Sequence, residues 1–365
     1  MDPADTTFPR LECPFSNKNR YAYLGNSSAP SNSQVPSYFF ALNLHQCRHV
    51  LPRLLGSIVE TIRFLGPQNC VLSIVEGRSD DGTFEVLHNL RTDLEILGIS
   101  YLFETSDINP MAKGGDRVKA LAELRNLAVT DLFERPGNYA NDTTVVFLND
   151  IAPCMEDILE IIHQRITQEA DITCPMDWTY VGEHPTFYDV WIARGMTGDS
   201  FFRIPEDGSW NWAWNLFWND ATAYSRWSSW KPFQVFSCWN GMAAFTAKPL
   251  MNGQIKFRGP NNNECYQGEP RLFAKDMWYH GFGKIAVIPS VNVEYSDKAS
   301  KKIKALKGYT SSHIAKEAED THIEWQSDPP AQVKCMINYD NQFFVYWSQG
   351  LPPLAAKNET SAGKY

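Results

Sequence analysis

Acidic residues that follow apolar runs are the groups in this 365-residue chain best placed for chemistry. The run "VVFLND" (145–150) ends in Asn149 and Asp150, where a buried strand would emerge. A carboxylate there can hold a divalent cation against a diphosphate and offset the charge of a departing nucleotide. The plainer alternative is an Asn-Asp turn. A second stretch, "SIVEGRSDDGT" (73–83), places Glu76, Asp80 and Asp81 after another apolar strand. Sites in open α/β sheets form at such carboxyl ends. On this stretch alone a solvated turn, with Asp80 or Asp81 capping the next helix, takes precedence.

Other segments mix residue types in ways that suit a polar ligand. In "DRVKALAELRN" (116–126), Arg117 can face phosphates, and Arg125 with Asn126 follows two or three turns later. A helix of this composition is otherwise a surface helix with solvated charges. The segment "CPMDWTYVGEHPTFYDVWIARG" (174–195) combines Asp177, Trp178, Tyr188, Asp189, Trp191 and Arg194. Carboxylates accept hydrogen bonds from sugar hydroxyls, and rings cover the apolar face of a sugar. "FSCWNGMAAF" (236–245) puts Trp239 and Asn240 in a tight turn. "NECYQGEPRLFAKDMWYHG" (263–281) offers Glu264, Glu269 and Asp276 around a helix start, where the dipole favours an ionised Glu269.

These residues need a scaffold, and the hydrophobic periodicity supplies one. Strands are expected over 37–44, 70–77, 99–104 and 143–150, with helices over 49–66, 83–98 and 116–133. Alternating strands and helices specify an α/β fold with a mostly parallel sheet covered on both faces. Residues 1–36 read as an irregular lead-in, 37–300 as the catalytic domain and 301–365 as an extension. Seven of the twelve tryptophans fall within 210–239. They are either a packed aromatic subdomain or a platform for a sugar or flat acceptor. The spacing of Trp210, Trp212 and Trp214 would line one face of a strand.

Composition narrows the function class. The chain is 43% hydrophobic and carries a formal charge of −9, which argues against nucleic-acid binding. No stretch approaches the roughly 18–20 apolar residues of a membrane span. The eight cysteines are scattered without a CxxC pair, which argues against a zinc ribbon. Several sit in apolar runs, as buried free thiols do; disulfides stay open. Sequons occur at Asn26, Asn141 and Asn358.

Read in order, "ALNLHQC", "LPRLLGSIVETIRFLGP", "LSIVEGRSDDGT", "LAELRN", "FLND", "MDW…FYDVWIAR", "SCWNGM", "FRG" and "EC…GE" resemble glycosyltransferase family 69, the fungal capsule-associated α-1,3-mannosyltransferases. The resemblance spans roughly residues 37–296. It implies a GT-A-type nucleotide-sugar fold, GDP-mannose as donor, Mn²⁺ or Mg²⁺ as metal, and retention of configuration. It assigns Asp150 to the metal, with Leu148 standing where such enzymes carry the first acid of an Asp-x-Asp motif. It assigns Glu76, Asp80, Arg117, Arg125, Asn126 and Asn149, together with Asp150, to the nucleotide sugar. It assigns Trp178, Tyr188, Trp239 and Asn240 to the sugar and acceptor, and Glu269, Asp189 and Asp177 to the reacting centre. Gly268 replaces the family's usual Ser, and the Trp-rich stretch replaces a Pro/Tyr-rich one.

The expectation is therefore a retaining, metal-dependent transferase moving mannose from a GDP-sugar to a glycan or small-molecule hydroxyl. Two alternatives stay open: a cytoplasmic tailoring enzyme for a small apolar acceptor, and a carbohydrate-binding protein with decayed catalysis. Family members usually begin with a membrane anchor, which this chain lacks. The expected location is the Golgi lumen if an anchor has been removed, and the cytoplasm otherwise.

Overall fold

The computed structural model describes residues 12–14, 17–25, 35–317 and 321–353. Ten strands form the main sheet: β1 (Tyr38–Leu44), β2 (Cys70–Glu76), β3 (Ser100–Thr105), β4 (Thr144–Leu148), β5 (Ile172–Val181), β6 (His184–Phe187), β7 (Arg194–Gly195), β8 (Phe233–Ser237), β9 (Met242–Thr246) and β10 (Ile285–Val293). Their order is β3-β2-β1-β4-β9-β5-β10-β8-β7, with β6 hanging from β5. Strands β1 to β4 are mutually parallel, and β10 is parallel to β5. Strands β8 and β9 run the other way. A separate hairpin, β11 (Gln332–Asn338) and β12 (Asn341–Tyr346), follows. The chain is thus α/β with a mostly parallel sheet, as the periodicity predicts.

Period-two alternation explains the two cores. Phe39 and Ala41 of β1 face one apolar layer together with Ala122 and Leu124 of the Arg117–Ala128 helix. Phe40 and Leu42 face the other, with Leu54 and Ile58 of the Leu51–Leu65 helix and Ile158 of the Met155–Thr167 helix. Both faces are covered, so "YFFALNL" reads as one apolar run.

Three local expectations change. The helix expected over 83–98 is two segments, Thr83–Asn89 and Arg91–Ile96, joined at Leu90. A helix, Lys18–Gly25, stands within the stretch expected to be irregular; Tyr21 and Leu24 anchor it, and Arg20 and Tyr21 bond Glu160. The Trp-rich stretch forms no strand. Residues 211–219 are turns, and Asp220 then caps an Ala221–Ser228 helix. Trp210 and Trp227 pack on the core, whereas Trp212, Trp214, Trp218 and Trp230 are exposed. The sequons at Asn26 and Asn358 lie outside the described residues; Asn141 is exposed in a turn. No helix among the described residues is long and apolar enough to cross a membrane.

The free-thiol reading is corrected. Disulfides join Cys13 to Cys154, Cys174 to Cys238 and Cys265 to Cys335; only Cys47 and Cys70 are free, and both are buried. The partners are 141, 64 and 70 residues apart, so only the folded sheet brings them together. Cys265–Cys335 ties the β11–β12 hairpin to the loop before the Glu269–Tyr279 helix. Replacing both cysteines by Ala should lower unfolding free energy by about 4 kcal/mol, from the loop-closure entropy of a loop this long. Denaturant titration measures this, and an unchanged midpoint would show that the link carries no stability.

Candidate active site

Chain order reverses direction between β1 and β4, so the crevice lies at the carboxyl ends of these strands. Beside the ends of β1 and β2 is a cavity of about 300 Å³ lined mainly by apolar groups, among them Ile108, Pro110 and Leu124. Its polar lining includes Asn43, Arg78 and Arg117. Arg78, held at φ 58°, donates to Asn109 Oδ1 at 3.1 Å. Arg117 is exposed at the helix start and rests on Met111 Sδ.

The acids of "VEGRSDDGT" mostly build this turn. Glu76 is buried, and its Oε1 accepts the Ser79 N–H at 2.8 Å. Asp80 is exposed and accepts from Gln46 Nε2, while Asp81 accepts the Arg48 and Thr83 N–H groups. Glu76 thus holds the turn that carries Arg78. Of this motif, the Arg78 side chain lines the crevice, together with Asn43 and Arg117.

Asp150 follows β4 and is partly exposed; no described residue bonds its carboxylate. Its neighbour Asn149 is fixed: its N–H donates to Gly241 O at 2.9 Å, and its Oδ1 accepts Trp239 Nε1 at 3.2 Å. Leu148 is fully buried in the core, so an acid at that position would face apolar side chains. Among the described residues no group of three or more His, Cys, Asp or Glu is arranged to hold a metal. One free carboxylate fits a cation that takes its remaining ligands from diphosphate and water, which is how Mg²⁺-type ions commonly bind.

The turn Trp239–Met242 is the hub of the site. Asn240 and Gly241 both have positive φ, 52° and 78°, and Met242 N bonds Trp239 O, the geometry Asn-Gly favours. Gly241 is required twice over, since a Cβ there would meet Ile151 Cγ2 at 2.7 Å. The neighbouring Cys174–Cys238 link pins the turn to β5. Trp239 itself is 1% exposed, so it offers no ring to an acceptor, which corrects that expectation. Its indole covers the Arg125 guanidinium at 4.5 Å, with Phe147 at 4.8 Å. Arg125 Nε donates to Glu269 Oε1 at 2.8 Å. Glu269 is 3% exposed and its carboxylate is paired with this guanidinium. A Cβ on Gly268 would meet Ile192 Cδ1 at 2.5 Å; here Ile192 fills the space of a side chain.

The second arm of the hub is an acid pair. The Asn240 N–H donates to Asp189 Oδ2 at 3.0 Å, and the Asp189 N–H to Asp177 Oδ1 at 3.3 Å. Tyr295, which no sequence motif flagged, donates its hydroxyl to Asp177 Oδ2 at 2.6 Å. Burial, and then the charge of Asp189, push the Asp177 carboxyl well above the usual range. Burial pushes Asp189 up to about 6, against hydrogen bonds from the Asn240 and Ile192 backbone. Tyr188 is 47% exposed, packs edge-on to Tyr295 at 5.0 Å and feels the charges of Asp177, Asp189 and Asp150.

Several predicted residues lie apart. Asn126 uses both amide atoms on the Phe257 backbone, and Asn240 donates its amide to Pro175 O; both brace loops. Trp178 is buried, bonded to Asn292 Oδ1 and capped by Lys307 Nζ at 4.4 Å. Glu264 and Asp276 both pair with Arg258. These corrections share one cause: buried polar groups find partners inside the protein.

The described "Cryptococcal mannosyltransferase 1" family matches residues 37–276. The chain belongs to that family. It is 33% identical over 316 residues to alpha-1,3-mannosyltransferase CMT1 of Cryptococcus neoformans var. neoformans serotype D, covering 82% of this chain and 67% of the relative. It is a glycosyltransferase, α-1,3-mannosyltransferase-like, built on the α/β, mostly parallel sheet described above. Solved structures with a similar course include S. aureus TarS 1-349 in complex with UDP (12% identity, TM-score 0.43, 74% of this chain and 65% of that one). Another is mannosyltransferase PcManGT from Pyrobaculum calidifontis in complex with GDP-Man and Mn²⁺ (12%, TM-score 0.41, 85% and 72%).

The acid pair sets a pH dependence. A carboxyl with a raised folded-state pKa contributes stability that is fully present below the ordinary Asp value and is lost as pH rises through about 6. Asp189→Asn removes the group that loses it and keeps an acceptor for Asn240. The variant should melt like wild type near pH 4 and roughly 2–4 °C higher at pH 7.5. Parallel melting curves across this range would show that Asp189 titrates normally.

Proposed function

We propose that the protein transfers mannose, with retention, from GDP-mannose to a glycan hydroxyl, using Mn²⁺ or Mg²⁺. The observation that carries this reading is the free carboxylate of Asp150 at the end of β4, whose charge reaches Tyr188 beside the Asp177–Asp189 pair. The crevice takes the nucleoside. Arg78 and Arg117 line it with positive charge for the diphosphate. Asp150 would hold the cation, which when bound offsets charge on the departing diphosphate.

Asp189 stands on the sugar side. Ionised above about pH 6, it stabilises positive charge at the anomeric carbon, while Tyr295 and burial keep the Asp177 carboxyl oriented beside it. In a same-face displacement the leaving diphosphate oxygen takes the acceptor proton, so no strong protein base is needed. The buried Leu148 weighs against the decayed-site alternative, because the missing first acid would have pointed into the core. Three disulfides favour an oxidising lumen over the cytoplasmic alternative.

Thermal shift tests this reading. With Mn²⁺ present, GDP should stabilise the protein more than UDP at equal concentration. Asp150→Asn should weaken Mn²⁺-dependent GDP binding on the order of tenfold or more. A larger shift with UDP would reassign the donor, and unchanged GDP binding in the variant would remove Asp150 from the site.

A further inference from the structure

The acid pair is bracketed by exposed rings. Asp189 sits in a tight turn in which Val190 N bonds Tyr188 O and Ala193 N bonds Asp189 O. The turn buries Val190 and leaves Tyr188 and Trp191 on the surface, Trp191 39% exposed. A second element meets Trp191 from far along the chain. Tyr339, in the two-residue turn between β11 and β12, packs its ring 5.0 Å from Trp191 at a 44° tilt. Asp340, the other turn residue, is exposed beside it.

The hairpin is held with unusual firmness for a surface element. The Lys334 carbonyl accepts from both Arg194 Nε and Arg271 Nη2, and Lys334 N donates to Gly198 O. Close approach is possible only because residue 198 is Gly: a Cβ there would lie 2.0 Å from Gln332 O. Gly208 likewise leaves room for the Tyr339 ring, which a Cβ would meet at 2.8 Å. The Cys265–Cys335 disulfide adds a covalent tie. Two glycines, two buried guanidinium groups and a disulfide thus fix one aromatic ring beside Trp191.

We propose that Trp191, Tyr339 and Asp340 form the subsite that holds the acceptor sugar. Its apolar face stacks in the Trp191–Tyr339 corner, its outer hydroxyls donate to Asp340, and its reactive hydroxyl turns toward Asp189. Amphipathic rings next to carboxylates match a ligand with one apolar face and a hydroxyl rim. Trp191 stands two residues from Asp189 in the same tight turn, next to the acids assigned to the sugar, which is why a sugar rather than a protein is its occupant. This inference rests on the glycosyl-transfer reading above.

The test uses α-mannobiose as acceptor with GDP-mannose and Mn²⁺. Tyr339→Ala should raise KM for mannobiose about tenfold or more with kcat little changed, and Tyr339→Phe should restore it. The GDP-induced thermal shift of Tyr339→Ala should equal wild type. Trp191→Phe, which keeps a ring, should give a smaller KM rise than Trp191→Ala, and its melting temperature checks folding. Titration calorimetry of mannobiose into wild type and Tyr339→Ala gives a readout free of turnover: weaker binding to the variant is expected. Equal KM and equal binding in Tyr339→Ala would overturn the subsite. Absence of any GDP shift in wild type would instead overturn the donor reading, with the mannobiose titration still deciding the subsite.

Discussion

A guanidinium cannot shed its proton inside a protein, so Arg125 must be neutralised where it stands. It is buried against the faces of Phe147, Trp239 and Phe257 and paired with Glu269. Each contact comes from a different element: β4, the turn before β9, the loop after it and the start of the Glu269–Tyr279 helix. Breaking such a pair by removing one partner costs roughly 3–5 kcal/mol, because the other charge is left buried. The same Trp239 ring that covers Arg125 hydrogen-bonds Asn149 and so sets the backbone that presents Asp150. Its neighbour Asn240 donates to Asp189. One buried cation therefore orients the groups assigned here to metal and to sugar.

Much of this was legible in the sequence, for stated reasons. The four parallel strands were readable because each is a short apolar run closed by turn residues. The strand end at Asp150 was readable, and there the structure leaves a carboxylate that no described residue bonds, unlike Glu76, Asp80 and Asp81 at the end of β2. Direction was not readable. Trp178, Trp239, Asn126 and Glu76 have residue types that suit ligands, yet each satisfies its polar atoms within the protein. Composition names the chemistry a side chain can do, while burial decides whether it is available. Tyr295 and Tyr339 escaped notice because their meaning depends on partners 118 residues and more away in sequence.

The site divides into two electrostatic regimes. On the side proposed for the nucleotide, Arg78 and Arg117 line an otherwise apolar crevice, a setting for a flat base and an anionic tail. On the side proposed for the sugar, carboxylates sit close enough to compete for protons, and burial raises both. The charge of Asp150 acts on both Cys47, two residues from the crevice-lining His45, and Tyr188 beside the acid pair. A reaction that separates an anionic leaving group from a cationic sugar fits such a division.

The most direct measurement is a crystal structure of the protein with GDP and Mn²⁺. The account predicts the guanine in the crevice between Asn43 and Pro110, the diphosphate facing Arg78 and Arg117, and the metal bridging it to Asp150. GDP bound elsewhere, for instance in the separate cavity beside Trp230 and His313, or a metal held without Asp150, would contradict it.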